Sequence, residues 1–341
     1  MSLPSHFPMK VAGGKTVNLP SVGFGTWAAG DTGWCKDATL AALKAGYRHL
    51  DCAWRYGVDE EVGAAIRESG IQRSEIFVTT KFWPHFAHPD TIELCLDKCL
   101  ENMGLDYVDL FLAHWPVAMK ATSRADLERV RARHAVPPEE LGIQKDPETG
   151  NEMVDLEYSC KDFGEAVGVK GSYVPNWETL QRLVSTGKTR AVGVSNFSIA
   201  QLEELLPYAT DVPISCNQIE AHPWLPNTEV INFMDKHDIV ATCYSPFAGA
   251  KPDGQRLTDD ETVREVAKKN DMGVGQCLQS WAVGRGTVPL GKSQGEERIK
   301  QNLAVRKLPA EDVKKLDSLK QEGDQGRTVD FGKKWGVTLY R

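Results

Sequence analysis

Short apolar runs alternate with amphipathic stretches along nearly the whole chain. Strand-like runs fall near 19–25, 47–51, 75–80, 107–113, 189–194, 212–219, 238–243 and 286–290. Elsewhere the apolar spacing changes to a helical period, near 35–45, 57–69, 89–103, 176–186, 198–208, 226–236, 259–285 and 295–303. Strand and helix alternating about eight times predict parallel strands joined by crossover helices. Eight such units favour the α/β class and a closed (β/α)8 TIM barrel over an open doubly wound sheet. Ahead of the barrel, Val11 to Val17 reads as a hairpin around Gly13-Gly14.

The rhythm lapses once, between Trp115-Pro116 and the helix at Trp177. The stretch 124–141 is charged and helix-competent, and Gln144 to Asn151 looks like a turn. Connections this long inside a compact domain tend to carry function, so residues 117–175 are expected to form a loop inserted after the fourth strand, over the catalytic end. The last residues, 321–341, lack periodicity but hold Trp335 and Tyr340, and are expected as a tail on the surface or over the site. No Pro/Gly/Ser-rich linker divides the chain, so 1–341 is read as one domain.

Composition narrows the class. With 41% hydrophobic and 26% charged residues, the 341-residue chain has ample material for a large core. A formal net charge of −7 argues against a nucleic-acid surface, which needs a basic face. No apolar run approaches the roughly 18 residues of a spanning helix, and Met1 to Lys10 lack the apolar core of a secretory signal. The eight cysteines are scattered, with Cys95, Cys99, Cys216 and Cys243 inside predicted elements, as reduced thiols would be. The expectation is a cytoplasmic protein, monomeric or a weak homo-oligomer, acting on a small molecule rather than on nucleic acid or membrane.

Chemistry collects at three strand ends. The approach Tyr47 to Leu50 delivers Asp51 and then Tyr56; Ile76 to Thr80 leads to Lys81; Tyr107 to Ala113 leads to His114. In a parallel barrel the C-terminal strand ends carry the active site. An acid, a phenol, an amine and an imidazole gathered there can move a proton. A phenol, with an ordinary pKa near 10, is a poor acid at neutral pH, and a neighbouring ammonium lowers that value. Lys81 would act so on Tyr56, with Asp51 holding the lysine charged and in place and His114 able to donate a hydrogen bond. Taken singly, the same residues could be a structural ion pair, a core tyrosine and a core histidine.

Three other motifs point elsewhere and are set aside. Gly23-Phe24-Gly25-Thr26-Trp27-Ala28 matches a dinucleotide fingerprint, but no helix opens on the glycines and bulky Trp27 sits where backbone should meet a pyrophosphate. Gly286 to Ser293 matches a P-loop formally, yet the residues between its glycines read as a strand. Lys292, Ser293 and Arg298 nonetheless cluster at a helix start near Gly295, a natural phosphate site. His85 and His88, with His114, lack a carboxylate or thiol to complete a metal set, so no metal is expected and the pair is read as solvated surface.

Several motifs follow one another in order: Gly23-Phe24-Gly25-Thr26-Trp27, Asp51-Cys52-Ala53, Tyr56, Glu61-Val62-Gly63, Thr80-Lys81-Phe82-Trp83 and His114-Trp115-Pro116. Gly193-Val194-Ser195-Asn196-Phe197, Asn217-Gln218-Ile219-Glu220, Tyr244-Ser245-Pro246 and Lys292-Ser293 with Arg298 and Asn302 continue the series. In this order they resemble the aldo-keto reductase superfamily, and within it the fungal NADPH-dependent aldehyde and sugar reductases. Two departures stand out: Val58-Asp59 replaces the usual Asn-Glu, and Leu290-Gly291 intervene before Lys292.

The resemblance implies NADPH-dependent reduction of aldehydes or ketones, sugar or short polyol aldehydes among them, with Asp51, Tyr56, Lys81 and His114 catalytic. For the cofactor it implies Tyr244 stacking on the nicotinamide ring, Ser195, Asn196 and Gln218 holding its carboxamide, and Gly25, Thr26, Trp27 and Ser245 as further cofactor contacts. Lys292, Ser293 and Arg298 would hold the 2′-phosphate, and Gln301 and Asn302 would reach the adenine. Trp27, Trp83, Trp115 and Phe247 would line an apolar substrate pocket. Arg55 is either a solvated arginine or a contact for a substrate carboxylate or hydroxyls. The alternatives are physiological alcohol or polyol oxidation at the same site, and a non-catalytic cofactor-sensing subunit.

Overall fold

The strand–helix repeats close on themselves in chain order. The computed structural model describes residues 2–28, 33–130, 140–165, 167–251 and 253–340. An antiparallel hairpin of β1 (His6–Val11) and β2 (Lys15–Pro20) comes first. Eight parallel strands then form the barrel: β3 (Gly23–Gly25), β4 (His49–Asp51), β5 (Phe77–Phe82), β6 (Val108–Ala113), β9 (Thr189–Ser195), β10 (Cys216–Glu220), β11 (Val240–Tyr244) and β12 (Val288–Gly291). β12 pairs back onto β3, which leaves no edge. The hairpin closes one end: Met9, Val11 and Leu19 join Phe77, Leu110, Ala191, Cys216 and Val288 in a core of their own. That leaves the C-terminal strand ends open for chemistry.

The surrounding helices are α1 (Cys35–Ala45), α2 (Asp59–Ser69), α3 (Ile92–Met103), α6 (Val174–Ser185), α7 (Ile199–Leu205), α8 (Thr228–Lys236), α9 (Glu261–Lys269), α10 (Val274–Gly284), α11 (Glu296–Leu303) and α12 (Ala310–Asp317). Between β6 and α6 the inserted segment adds a two-stranded ribbon of β7 (Ala118–Met119) and β8 (Val154–Asp155), with α4 (Arg124–Arg129) and α5 (Lys161–Glu165). It follows the fourth barrel strand, as the sequence predicts. The turn expected at Gln144–Asn151 is there, closed by Gly150 N–H on the Asp146 carbonyl at 2.8 Å. Of the helix-competent stretch 124–141, residues 131–139 lie outside the described residues.

Two sequence expectations divide differently. The run 19–25 is two strands, because Pro20 ends β2 without an N–H to extend a ladder and the chain bends at Ser21-Val22 before β3. The helix expected over 259–285 is α9 and α10. Asn270 turns its side chain onto the Val266 carbonyl at 2.8 Å, Asp271 takes a left-handed φ of 50°, and Gly273 starts the next helix. Polar side chains that bond their own backbone compete with a continuing helix. α12 and a last turn of helix, α13 (Gly332–Trp335), lie beyond any predicted element.

Gly63 explains why the Glu61-Val62-Gly63 motif ends in glycine. A Cβ there would lie 2.0 Å from the Met103 carbonyl oxygen, so α2 rests directly on the end of α3. Gly63→Ala should therefore destabilise the fold by about 1–3 kcal/mol, the usual scale of overpacking. Urea unfolding measures this; unchanged stability would mean that the helices are not in backbone contact.

Candidate active site

Register brings the strand-end residues together. Gly25, Asp51 and Thr79 pair across β3, β4 and β5, and Lys81 pairs with Leu112 across β5 and β6. Lys81 therefore stands beside Asp51 on one side and near His114, the residue after β6, on the other. Tyr56 sits on a single 3₁₀ turn, Trp54–Tyr56, held down by the fully buried Trp54 ring against Phe86 and His85. Gly57 leaves that turn with a left-handed φ of 67°, a conformation that glycine adopts without strain.

Lys81 Nζ donates to both Asp51 oxygens at 2.9 Å, to the Cys52 carbonyl at 2.8 Å and to the Tyr56 hydroxyl oxygen at 3.3 Å. With the ammonium donating to it, the phenol keeps its own proton free to give away. The His114 and Tyr56 rings meet edge to face with centroids 5.8 Å apart. Gln218 joins the group: its Nε2 donates to Asp51 Oδ1 at 2.8 Å. The four residues read from the sequence thus form one cluster, and Gln218, expected only as a cofactor contact, also braces its carboxylate.

Burial sets the protonation states. Burial opposes the charge on Lys81, but the Asp51 carboxylate and the Tyr56 oxygen outweigh it and raise its pKa, so the ammonium is retained. Tyr56 is pushed up to about 12 by burial, with Lys81 pulling the other way. The sequence argument had Lys81 lowering the phenol; the pull exists, but desolvation exceeds it. Tyr56 is thus a fully protonated donor at neutral pH. His114 lies well below the ordinary imidazole range, through burial first and then the charges of Lys81 and Arg55, so its ring is neutral. Its buried Nδ1 has no partner among the described residues.

The expected cofactor residues fall in two groups. Around the mouth, Ser195 Oγ donates to the Gln218 carbonyl at 2.9 Å, and Asn196 Nδ2 to the His114 carbonyl at 3.0 Å. Tyr244 donates to Asn196 Oδ1 at 2.7 Å. Asn196 and Ser245 both take positive φ, turning the chain sharply at the ends of β9 and β11. Thr26 Oγ1 bonds the Asp51 carbonyl at 2.9 Å and ties β3 to β4.

The second group lies past β12. Leu290 and Gly291 belong to that strand, so Lys292 follows directly on its end. Gly291 is closely packed: a Cβ there would lie 2.1 Å from Gln279 Oε1 and 2.9 Å from Phe247 Cζ, so both side chains would have to shift. Arg298 folds back over Gly295, with its Nε 3.2 Å from Ser293 Oγ, and Lys292 Nζ sits 4.7 Å from the Trp34 ring centroid. Neither cation has a carboxylate partner among the described residues. Two unneutralised cations, a hydroxyl and the N-terminus of α11 suit a phosphate dianion. Asn302 and Gln301 follow on α11, facing Gly275 and Gly273 of α10.

Residues 21–321 match the model of the Aldo/keto reductase family. The chain belongs to the aldo/keto reductase family. Aldehyde reductase YPR1 of Saccharomyces cerevisiae is 40% identical, over 94% of this chain and 92% of its own. A glycerol 2-dehydrogenase (NADP(+)) of the same yeast is 38% identical, covering 91% and 90%. A D-galacturonate reductase of Hypocrea jecorina is 35% identical, covering 93% and 95%. The solved aldose reductase of Schistosoma japonicum superposes with a TM-score of 0.75 at 25% identity, covering 94% of this chain and 96% of that one. The protein is an oxidoreductase of this family.

In this aldo/keto reductase the tail lies over the site. Phe331 and Trp335 stack on each other and set their faces against the edges of Trp83 and Trp115, with centroids 5.3–5.9 Å apart. Trp83 and Trp115 are consequently only 6% and 3% exposed. Two buried carboxylates fasten the tail. Glu220, the last residue of β10, accepts from Thr328 N–H at 2.9 Å, Val329 N–H at 3.2 Å and His222 Nε2 at 3.0 Å. Glu152, in the insert, accepts from Trp335 Nε1 at 2.8 Å and pairs with Lys334 at 2.6 Å.

Other expected substrate residues stand apart. Trp27 is 55% exposed at the rim, and Phe247 packs with the cluster of Trp224, Leu257 and Trp281 rather than with Trp83 and Trp115. His85, expected at the solvated surface, is buried against Trp54, and neither ring nitrogen has a partner among the described residues. The sequence reading missed Glu152 and Glu220 as latches, and Phe331.

Removing one partner of a buried ion pair strands the other charge, at about 3–5 kcal/mol. Lys81→Met should cost that much in urea unfolding, while Tyr56→Phe should cost no more than about 1 kcal/mol. Equal stabilities would show that the Asp51–Lys81 pair carries no structural load.

Proposed function

We propose that the enzyme reduces aldehydes and ketones to alcohols with NADPH, and that Tyr56 supplies the proton. The observation that carries the reading is the phenol oxygen held at 3.3 Å by an ammonium that Asp51 itself fixes at 2.9 Å. When bound, NADPH supplies the hydride that goes to the carbonyl carbon. His114, neutral, donates a hydrogen bond to the carbonyl oxygen and orients it toward Tyr56. As negative charge develops on that oxygen, the Tyr56 O–H bond breaks and the proton moves to it. The phenolate left behind is stabilised by Lys81 until solvent restores the proton. Asp51 and Gln218 keep the ammonium in line; they do not exchange the proton.

Sugar and short polyol aldehydes fit the relatives named above, an aldehyde reductase, a glycerol 2-dehydrogenase and a D-galacturonate reductase. The dehydrogenase name also raises alcohol oxidation. Oxidation requires phenolate as the base, and a phenol pushed up to about 12 supplies little of it at neutral pH. The protonated phenol is the form that reduction uses, so neutral pH suits reduction and high pH suits oxidation. For the cofactor, Lys292, Ser293 and Arg298 form the grip on the 2′-phosphate, and Ser195, Asn196, Gln218 and Tyr244 form the seat for the nicotinamide end.

Turnover is followed as NADPH consumption at 340 nm with a panel of aldehydes. Tyr56→Phe should lower kcat about 10²–10⁴-fold, the scale of general acid catalysis, with NADPH affinity nearly unchanged. Near-wild-type turnover would remove Tyr56 from the mechanism.

Arginine grips phosphate through paired, charge-assisted hydrogen bonds worth roughly 1.5–3 kcal/mol each. Arg298→Ala should therefore weaken NADPH binding about 10- to 100-fold and leave NADH binding almost untouched, as measured by quenching of protein fluorescence. Equal losses for the two cofactors would place the 2′-phosphate elsewhere.

A further inference from the structure

Arg55 lies between the buried Trp54 and the proton donor Tyr56, on the same 3₁₀ turn. Its guanidinium carbon is 6.0 Å from the Trp83 ring centroid. The side chain is half-buried, yet it makes no hydrogen bond or ion pair among the described residues. Other partly buried arginines are anchored by at least one hydrogen bond: Arg73 bonds Asp109 and the Tyr107 carbonyl, and Arg285 bonds the Pro226 carbonyl. The acid whose field reaches Arg55 is Glu152, and its oxygens are already taken by Lys334 and the Trp335 N–H. The charge of Arg55 is also felt at His114 and His85, which sets it at the reacting end of the site. Trp83, whose ring the guanidinium approaches, has a buried indole N–H without a partner among the described residues, and so has Trp115. On this side of the site two indole donors and the guanidinium meet no acceptor among the described residues.

Resting on the reading of Tyr56 as the proton donor to an aldehyde, we propose that Arg55 selects substrates that carry a carboxylate near the reacting carbonyl. A hydroxyl would return only one neutral hydrogen bond to a cation already drawn out of water. A carboxylate neutralises the charge and fits the planar fork with two parallel bonds. Arg55 is then a specificity-determining contact, separate from the proton transfer.

The test uses the full-length enzyme with NADPH and two four-carbon aldehydes, succinic semialdehyde and butanal. Wild type should favour the anionic aldehyde in kcat/KM by at least about tenfold, through KM. Arg55→Leu should lower the ratio of the two kcat/KM values roughly 10- to 100-fold by raising KM for succinic semialdehyde. Arg55→Lys should restore part of that ratio. A wild-type enzyme with no preference overturns the proposal without any variant, as does an Arg55→Leu enzyme that loses activity on both aldehydes in equal proportion. Reduction of neither aldehyde by wild type would instead defeat the carbonyl-reductase reading on which the proposal rests.

Discussion

An ammonium taken out of water must be neutralised, and Lys81 is neutralised inside the barrel mouth by Asp51. Much else at the site follows from that pairing. It requires β4 and β5 in register, so that the carboxylate at the end of one strand meets the amine near the end of the next. It leaves an ammonium proton for Tyr56, which binds the phenol oxygen without taking the phenol's proton. It also adds to the burial that keeps His114 neutral, since a second cation so close is unfavourable. Desolvation holds the phenol tightly to its proton, and the lysine is the local counterweight that, in the proposed mechanism, makes its loss feasible.

The tail makes the environment in which that balance holds. Phe331 and Trp335 cover Trp83 and Trp115, and Trp83 in turn meets the His114 ring edge to face with centroids 5.1 Å apart. The two fastenings come from opposite parts of the chain: Glu220 from the barrel wall and Glu152 from the insert. A buried carboxylate is costly unless several donors meet it, and both meet them from the tail. Cover and carboxylates therefore depend on each other, which couples the order of the tail to the insert as well as to the barrel. Low dielectric under the cover strengthens each charge–dipole contact at the reacting oxygen.

How far the sequence foretold this depends on what each residue answers to. Asp51, Lys81 and His114 were legible because a single polar residue follows a strand-like run, and barrel geometry gathers such ends. The eight repeats were legible from periodicity alone. The break between α9 and α10 was not, because the apolar period continues in phase across Asn270–Gly273 while the local hydrogen bonds interrupt it. His85 looked like a surface histidine, and only tertiary packing on Trp54 buries it. Glu152 carries no local signal, since its partner Trp335 lies 183 positions away. The upward shift of Tyr56 likewise depends on burial, which a neighbouring lysine in the sequence cannot reveal.

The central claim is that a phenol, not an imidazole, exchanges the proton. The pH dependence of alcohol oxidation with NADP+ tests it most directly, because the base form of the proton-exchanging group is then required. The account predicts a kcat/KM that rises about tenfold per pH unit from neutrality, titrates in the phenol range and vanishes in Tyr56→Phe. A rise centred at pH 7 or below that survives in Tyr56→Phe would assign the proton to His114 and contradict the account.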